Sequence, residues 1–209
     1  TSRGGGATIA LAGLLTERGM LQRIRRLVLS APINPWSRTG LLRVRLLRNR
    51  VGRLYVVHIA AQFPFILKDF FKRLYANPAK IPHDSFAGYQ AGLEPAGSFE
   101  HLWNILRSWT TDLRQIDSVL AQVESLPALL LWGDRDAAVD PASAEELHRR
   151  WKNSTVMMMQ NVGHMPYEEV PEEFDRIVLD FLLHDAPPTP IQDETHAVAA
   201  HNQSGPGRP

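Results

Sequence analysis

The sequence predicts an α/β domain with a short parallel sheet and a large helical insertion. Two observations carry this. Three continuous apolar runs, at residues 27–29, 129–132 and 155–159, are each followed by helical sequence, the pattern of βα units whose strands are buried on both faces. Between the first run and the second, residues 33–122 show helical patterns and no comparable run, so the inserted segment is a helical layer of its own.

Each element follows from its residues. "ATIALAGLL" at residues 7–15 is rich in alanine and leucine, suits a helix packed closely on a sheet, and ends near Gly19. "RIRRLVLSAP" holds the first strand and is closed by Pro32. The insertion then offers a basic helical stretch, "LLRVRLLRNRVGRLYVVHIAAQ", and an aromatic one, "FPFILKDFFKRLY". A Pro- and Gly-rich loop, "NPAKIPHDSFAGYQAGLEPAG", leads to a last helix, "SFEHLWNILRSWTTDLRQI". "PALLLWGDRD" returns to strand chemistry and turns at Gly133, with a helix beginning near Pro141. "STVMMMQNVGH" repeats the unit, with Met157–Met159 expected as strand core, and a helix starts near Pro171. Residues 185–209 carry Pro, Gly and polar residues without periodicity and are expected to form a disordered tail.

Composition narrows the function classes. The 209 residues, 44% hydrophobic and 22% charged, suffice for a sizeable core. A net charge of +1 gives no global reason to expect nucleic acid as a partner. With no cysteine, disulfides and thiolate chemistry are excluded. No apolar stretch approaches the roughly 18 residues of a membrane span. No metal-ligand spacing appears, and neither a metal nor a cofactor is expected.

Ligands of open α/β sheets bind beyond the carboxyl ends of the strands, so the loops after the apolar runs are where chemistry is sought. Asp136 lies just past the second run and His164 just past the third, while Ser2 stands at the entry to the first helix. A serine, an acid and a histidine are the set that makes a hydroxyl nucleophilic, the imidazole taking its proton and the carboxylate holding the imidazole. Each has a simpler reading. Ser2 fits a helix cap, Asp136 competes with Asp134 and Asp140 in a solvated turn, and His164 fits a satisfied loop histidine.

The opening "TSRGGG" resembles the G-x-S-x-G nucleophile elbow of the α/β-hydrolase family without its first glycine, and the chain order serine, acid, histidine is that family's. "WGDRD" and "VGHMPYEEVPEEF" are also similar to family segments, so the resemblance runs from Ser2 to about residue 183. It implies a partial α/β-hydrolase fold holding the last three parallel strands with flanking helices. Residues 1–32 and 123–184 are then the core, and 33–122 a helical cap. It implies Ser2, Asp136 and His164 as the catalytic triad, with Gly4 and Gly5 easing the tight turn, and the Arg3 backbone N–H as one oxyanion donor. A second donor and the strands preceding the serine are expected upstream, and the 209 residues alone are expected to be poorly soluble or partly unfolded, and inactive. Asp136 is favoured because it matches the family's acid position. The alternative acid position, after the preceding strand, reads Asn34 here. "GH" with "MPYEE" behind it fits a mobile catalytic loop.

A serine nucleophile implies acyl transfer on an ester or related carbonyl of a small molecule. Carbon–carbon bond hydrolysis on the same fold is the alternative, weakened by Met165 where such relatives show tryptophan after the histidine. A non-catalytic binding module is the other. Phe63, Phe65, Trp103 and Trp109 are candidates for an apolar substrate pocket in the cap. The arginine-rich stretch 43–53 is compatible with anionic lipid or an acidic substrate, but a solvated cap face is the expectation, so membrane contact is not expected. A cytoplasmic location is expected.

Overall fold

The computed structural model describes residues 1–184, and the segment expected to be a disordered tail lies outside the described residues. The three apolar runs form the strands β1 (Leu27–Ser30), β2 (Ala128–Gly133) and β3 (Ser154–Met159), paired in parallel in the order β1-β2-β3. Register runs from Leu27 opposite Ala128 and from Ala128 opposite Ser154. The strands therefore all end at the same sheet edge. Every residue of β2 is buried, which its ALLLWG sequence allows because neither face needs a polar side chain. On β3, Met157 and Met159 enter the core while Met158 is 38% exposed, so the expected core role holds for two of the three methionines. Strand alternation turns the middle one to the opposite face.

Helix α1 (Ser2–Glu17) starts five residues earlier than the alanine-rich stretch suggests, because it runs through the glycines. Those glycines allow close packing. A Cβ on Gly6 would come within 2.6 Å of Ile33 and 2.8 Å of Ile116, and one on Gly13 within 2.6 Å of Val119. Ile116 and Val119 belong to α6 (Ser98–Val123), so the longest helix of the insertion is packed against α1. Its buried residues Ile116, Leu120 and Val123 join Ile9, Leu130 and Trp132 in the main core. The insertion thus joins the core through one continuous helix that ends at Val123.

The basic stretch is two helices where the sequence suggests one. α2 (Leu41–Leu47) ends before Asn49, whose side-chain oxygen accepts from the Gly52 amide at 2.9 Å and caps α3 (Arg50–Leu54). A π-helical segment, Tyr55–Ala60, follows, then α4 (Pro64–Lys72). The loop rich in Pro and Gly holds one short helix, α5 (Ser85–Ala91). In the core, α7 (Ser143–Arg150) follows β2, and α8 (Pro166–Glu169) and α9 (Pro171–Leu183) follow β3. Leu129, Leu131, Met157 and Met159 pack with Ile177 and Phe181 of α9 as a second core cluster on the other face of the sheet.

Candidate active site

Parallel pairing brings the loops after all three strands to one rim. After β2, the turn from Gly133 carries Asp136, whose Oδ1 accepts from the amides of Ala138 at 2.7 Å and Val139 at 2.9 Å. Its Oδ2 lies 2.7 Å from Nδ1 of His164, in the loop after β3. Both side chains are almost fully buried, at 0% and 5% exposed. With the carboxylate on Nδ1, that nitrogen is the N–H donor and Nε2 is the free acceptor. The competing acids have other work. Asp134 accepts from the Val162 amide at 3.2 Å and so ties the two loops, and Asp140 accepts from the Ala142 amide at 3.0 Å. Asn34, also buried, donates to Ser143 Oγ at 3.0 Å and accepts from the amides of Trp36 and Ser37.

Ser2 stands at the first position of α1 with φ of 49°, a left-handed value rare for a serine. Its carbonyl accepts from the Ile33 amide at 3.1 Å, which fastens it to the loop following β1. Among the described residues its hydroxyl makes no hydrogen bond, so the structure joins the acid to the histidine and leaves the serine outside that pair. The first backbone bond of α1 runs from the Gly5 amide to the Thr1 carbonyl, and the Arg3 amide precedes it without an intrahelical partner. The Arg3 side chain is ion-paired with Asp112 of α6, which also accepts from Ser108 Oγ. Of the glycines expected to ease the turn, Gly4 faces open space, whereas a Cβ on Gly5 would come within 2.8 Å of Pro32.

The histidine loop is hydrogen-bonded on both sides. The His164 amide donates to the Leu74 carbonyl of the helical insertion at 2.6 Å. Gly163 sits so close to the cap backbone that a Cβ there would be 2.5 Å from both the Ala76 nitrogen and the Leu74 oxygen. Glu169, 5% exposed, accepts from the Gly163 amide at 2.7 Å and the Ala76 amide at 3.0 Å. Burial pushes its carboxyl above the usual range, more than the amides beside it pull it down. Glu168 accepts hydroxyl bonds from Tyr75, from Ser85 at 2.6 Å and from Tyr89 at 2.7 Å. Burial opposes its ionisation, but these hydroxyls outweigh burial and hold its carboxyl below the usual range. Met165 enters the cap cluster of Phe71 and Tyr75. Sequence reasoning missed Glu168 and Glu169 as binding groups, and the only local signal was a pair of acids in a first helical turn.

The proposed pocket residues fall in different places. Trp103 is buried in the cap and donates to the Leu47 carbonyl at 3.1 Å. Trp109 flanks a narrow crevice with Ile33, Asn34 and Val139, beside the acid loop. Phe63 and Phe65 are exposed, at 45% and 67%, with ring centres 5.7 Å apart. A cavity of about 430 Å³ lies within the cap, lined by Val57, Leu67, Leu93 and Phe99 among others, and none of the triad candidates borders it.

Residues 2–177 match the model of the alpha/beta hydrolase family. The chain belongs to that family. Among curated proteins the chain is 36% identical over 88 residues to 2-hydroxy-6-oxononadienedioate/2-hydroxy-6-oxononatrienedioate hydrolase 2 of Pseudomonas putida, covering 41% of this chain and 30% of that protein. It is 37% identical over 57 residues to pimeloyl-[acyl-carrier protein] methyl ester esterase of Neisseria meningitidis serogroup B, covering 27% of this chain and 22% of the esterase. The fold superposes on an alpha/beta hydrolase fold protein from Burkholderia ambifaria with a TM-score of 0.70 and 18% identity, over 86% of this chain and 63% of that one. This chain therefore spans less than two thirds of the length of the proteins it matches.

Proposed function

We propose that the protein is a serine hydrolase that cleaves a carboxylic ester or related acyl substrate through Ser2, His164 and Asp136. The observation that carries this reading is the buried Asp136–His164 pair at the carboxyl edge of the sheet. Its acid has both oxygens engaged, which fixes the imidazole tautomer and leaves Nε2 to act as base. In the reaction, His164 Nε2 takes the Ser2 hydroxyl proton as Oγ bonds to the acyl carbon. The bond to the alcohol oxygen then breaks, and the leaving oxygen receives that proton. Water, activated in turn by His164, hydrolyses the acyl-enzyme to the acid and restores Ser2. The partner-free Arg3 amide is suited to receive the developing oxyanion, helped by the positive end of α1. The left-handed backbone at Ser2 supports the nucleophile role, because strain of that kind is characteristic of the elbow turn.

A second reading, hydrolysis of a carbon–carbon bond, is favoured by the Pseudomonas putida relative. The two share the triad and differ in substrate. Turnover of nitrophenyl esters and of a dienoate ring-fission product by the full-length protein separates them. Ester turnover that falls by at least about 10⁴-fold in Ser2→Ala is expected. Ester turnover equal in Ser2→Ala and the parent would rule out the enzyme reading.

A further inference from the structure

The outer face of α2 and α3 combines two properties that a solvated surface does not need together. Leu42, Leu46, Val51 and Leu54 are 68%, 61%, 76% and 56% exposed. Between Leu41 and Lys68 the sequence has no acidic residue and six basic ones, Arg43, Arg45, Arg48, Arg50, Arg53 and Lys68. Arg53 is committed to Glu100 at 2.9 Å, but among the described residues Arg43, Arg45, Arg48 and Arg50 make no ion pair, and all four are exposed.

The geometry sorts these groups. At 3.6 residues per turn, Leu42 and Leu46 of α2 lie within roughly 40° of each other and point opposite to Val44, with Arg43 and Arg45 roughly 80° to either side. Val44 is 8% exposed and is the residue α2 buries. In the next helical stretch Gly52, Val56 and Ala60 are buried while Val51, Leu54 and Ile59 are exposed. The two helices meet closely, the Leu47 carbonyl lying where a Cβ on Gly52 would come within 2.1 Å of it, and the same carbonyl accepts from Trp103 of α6. An apolar ridge flanked by long cationic side chains, able to extend to either side, is the form of an element that lies in a bilayer interface.

We propose that this face docks the protein on an anionic lipid bilayer, with the leucine ridge at the headgroup boundary and the arginines on lipid phosphates. A second copy of the chain is disfavoured as the occupant, because two such faces, each with four exposed arginines outside any ion pair among the described residues, repel each other. The mode is surface contact. No single helix among the described residues is long and apolar enough to span a membrane, and the apolar pair Arg50–Ala60 and Pro64–Lys72 is bent by 101°. The proposal differs from the expectation of a merely solvated face, and it stands whether or not Ser2 is a nucleophile.

The test is flotation of the full-length protein with phosphatidylcholine vesicles, with and without phosphatidylglycerol. Binding to the anionic vesicles only is expected, released by roughly 0.5 M salt. The variants Leu42→Asp/Leu46→Asp and Arg43→Gln/Arg45→Gln should each lower the bound fraction by roughly tenfold or more while melting as the parent does. With no cysteine in the 209 residues, Leu46→Cys places one environment-sensitive dye within this stretch, whose emission should shift to the blue on the anionic vesicles. The proposal is overturned by absence of flotation, by flotation indifferent to these substitutions, or by a cysteine at 46 that the dye cannot reach. A dimer of the parent that Leu42→Asp/Leu46→Asp dissociates would assign the face to a second copy and overturn it equally.

Discussion

At one end of the candidate site, Asp136 and His164 are buried, joined at 2.7 Å, and held by bonds from the acid loop and the cap. At the other, Ser2 is half-buried, carries a left-handed backbone, and keeps its hydroxyl unbonded among the described residues. The first half is organised by contacts that rest on two β–α units and one cap segment. The second is organised by its own turn, a carbonyl bond to Ile33 and the Arg3–Asp112 ion pair. The contrast teaches that Asp136 and His164 form a preassembled pair, whereas Ser2 is oriented by local backbone and by where α6 holds its neighbour Arg3. Substitutions in the first half should therefore act through tautomer and loop geometry, and those in the second through the hydroxyl itself.

The strongest way to probe that contrast is Asp136→Asn. It preserves shape but removes the charge that selects the Nδ1–H tautomer, and it should lower kcat by about 10⁴-fold with little change in melting temperature. Steady-state kinetics on a nitrophenyl ester with a parallel thermal melt checks it, and a loss under tenfold would break the comparison. Next comes Glu169→Ala, which strands two amides, that of buried Gly163 and that of half-buried Ala76. It should cost on the order of 2–5 kcal/mol of stability by chemical denaturation, with Glu169→Gln costing less because its carbonyl oxygen still accepts. Equal stability in all three proteins would show that the loop is held by other means.

Glu168 gives a smaller effect with a distinctive pH signature. Its carboxyl is held below the ordinary value of 4.5, so its ionised form contributes stability that is present above that value. That contribution is lost as pH falls through the lower, folded-state value. The melting temperature of Glu168→Gln should therefore lie below the parent's near neutral pH and converge with it as pH falls below the ordinary carboxylate range. A difference independent of pH would assign the role of Glu168 to shape alone.

The sequence made the sheet legible because strand burial is written locally, in runs such as ALLLWG that leave no polar face. The acid and histidine were legible for the same reason, each following such a run. The split of the basic stretch had a readable sign in Asn49, a capping residue placed where α3 begins, but continuous leucine periodicity across it masked the break. The tandem glutamates were not readable. Tyr75, Ser85, Tyr89 and Ala76 lie 79–93 residues before their acceptors, and nothing within a turn of α8 announces such partners. The same limit applies to Leu42 and Leu46. Their residue types fit a buried helix as well as an outward one, and only the packing of Val44 against the cap decides between them.

The central claim is that Ser2 is the nucleophile served by His164. Its most direct test is labelling of the full-length protein with a fluorophosphonate, followed by mass spectrometry of the peptide carrying Ser2. The account predicts one phosphonyl adduct on Ser2, formed at least about 10³-fold more slowly in His164→Ala. An adduct on a different residue, or labelling at an undiminished rate in His164→Ala, would contradict it.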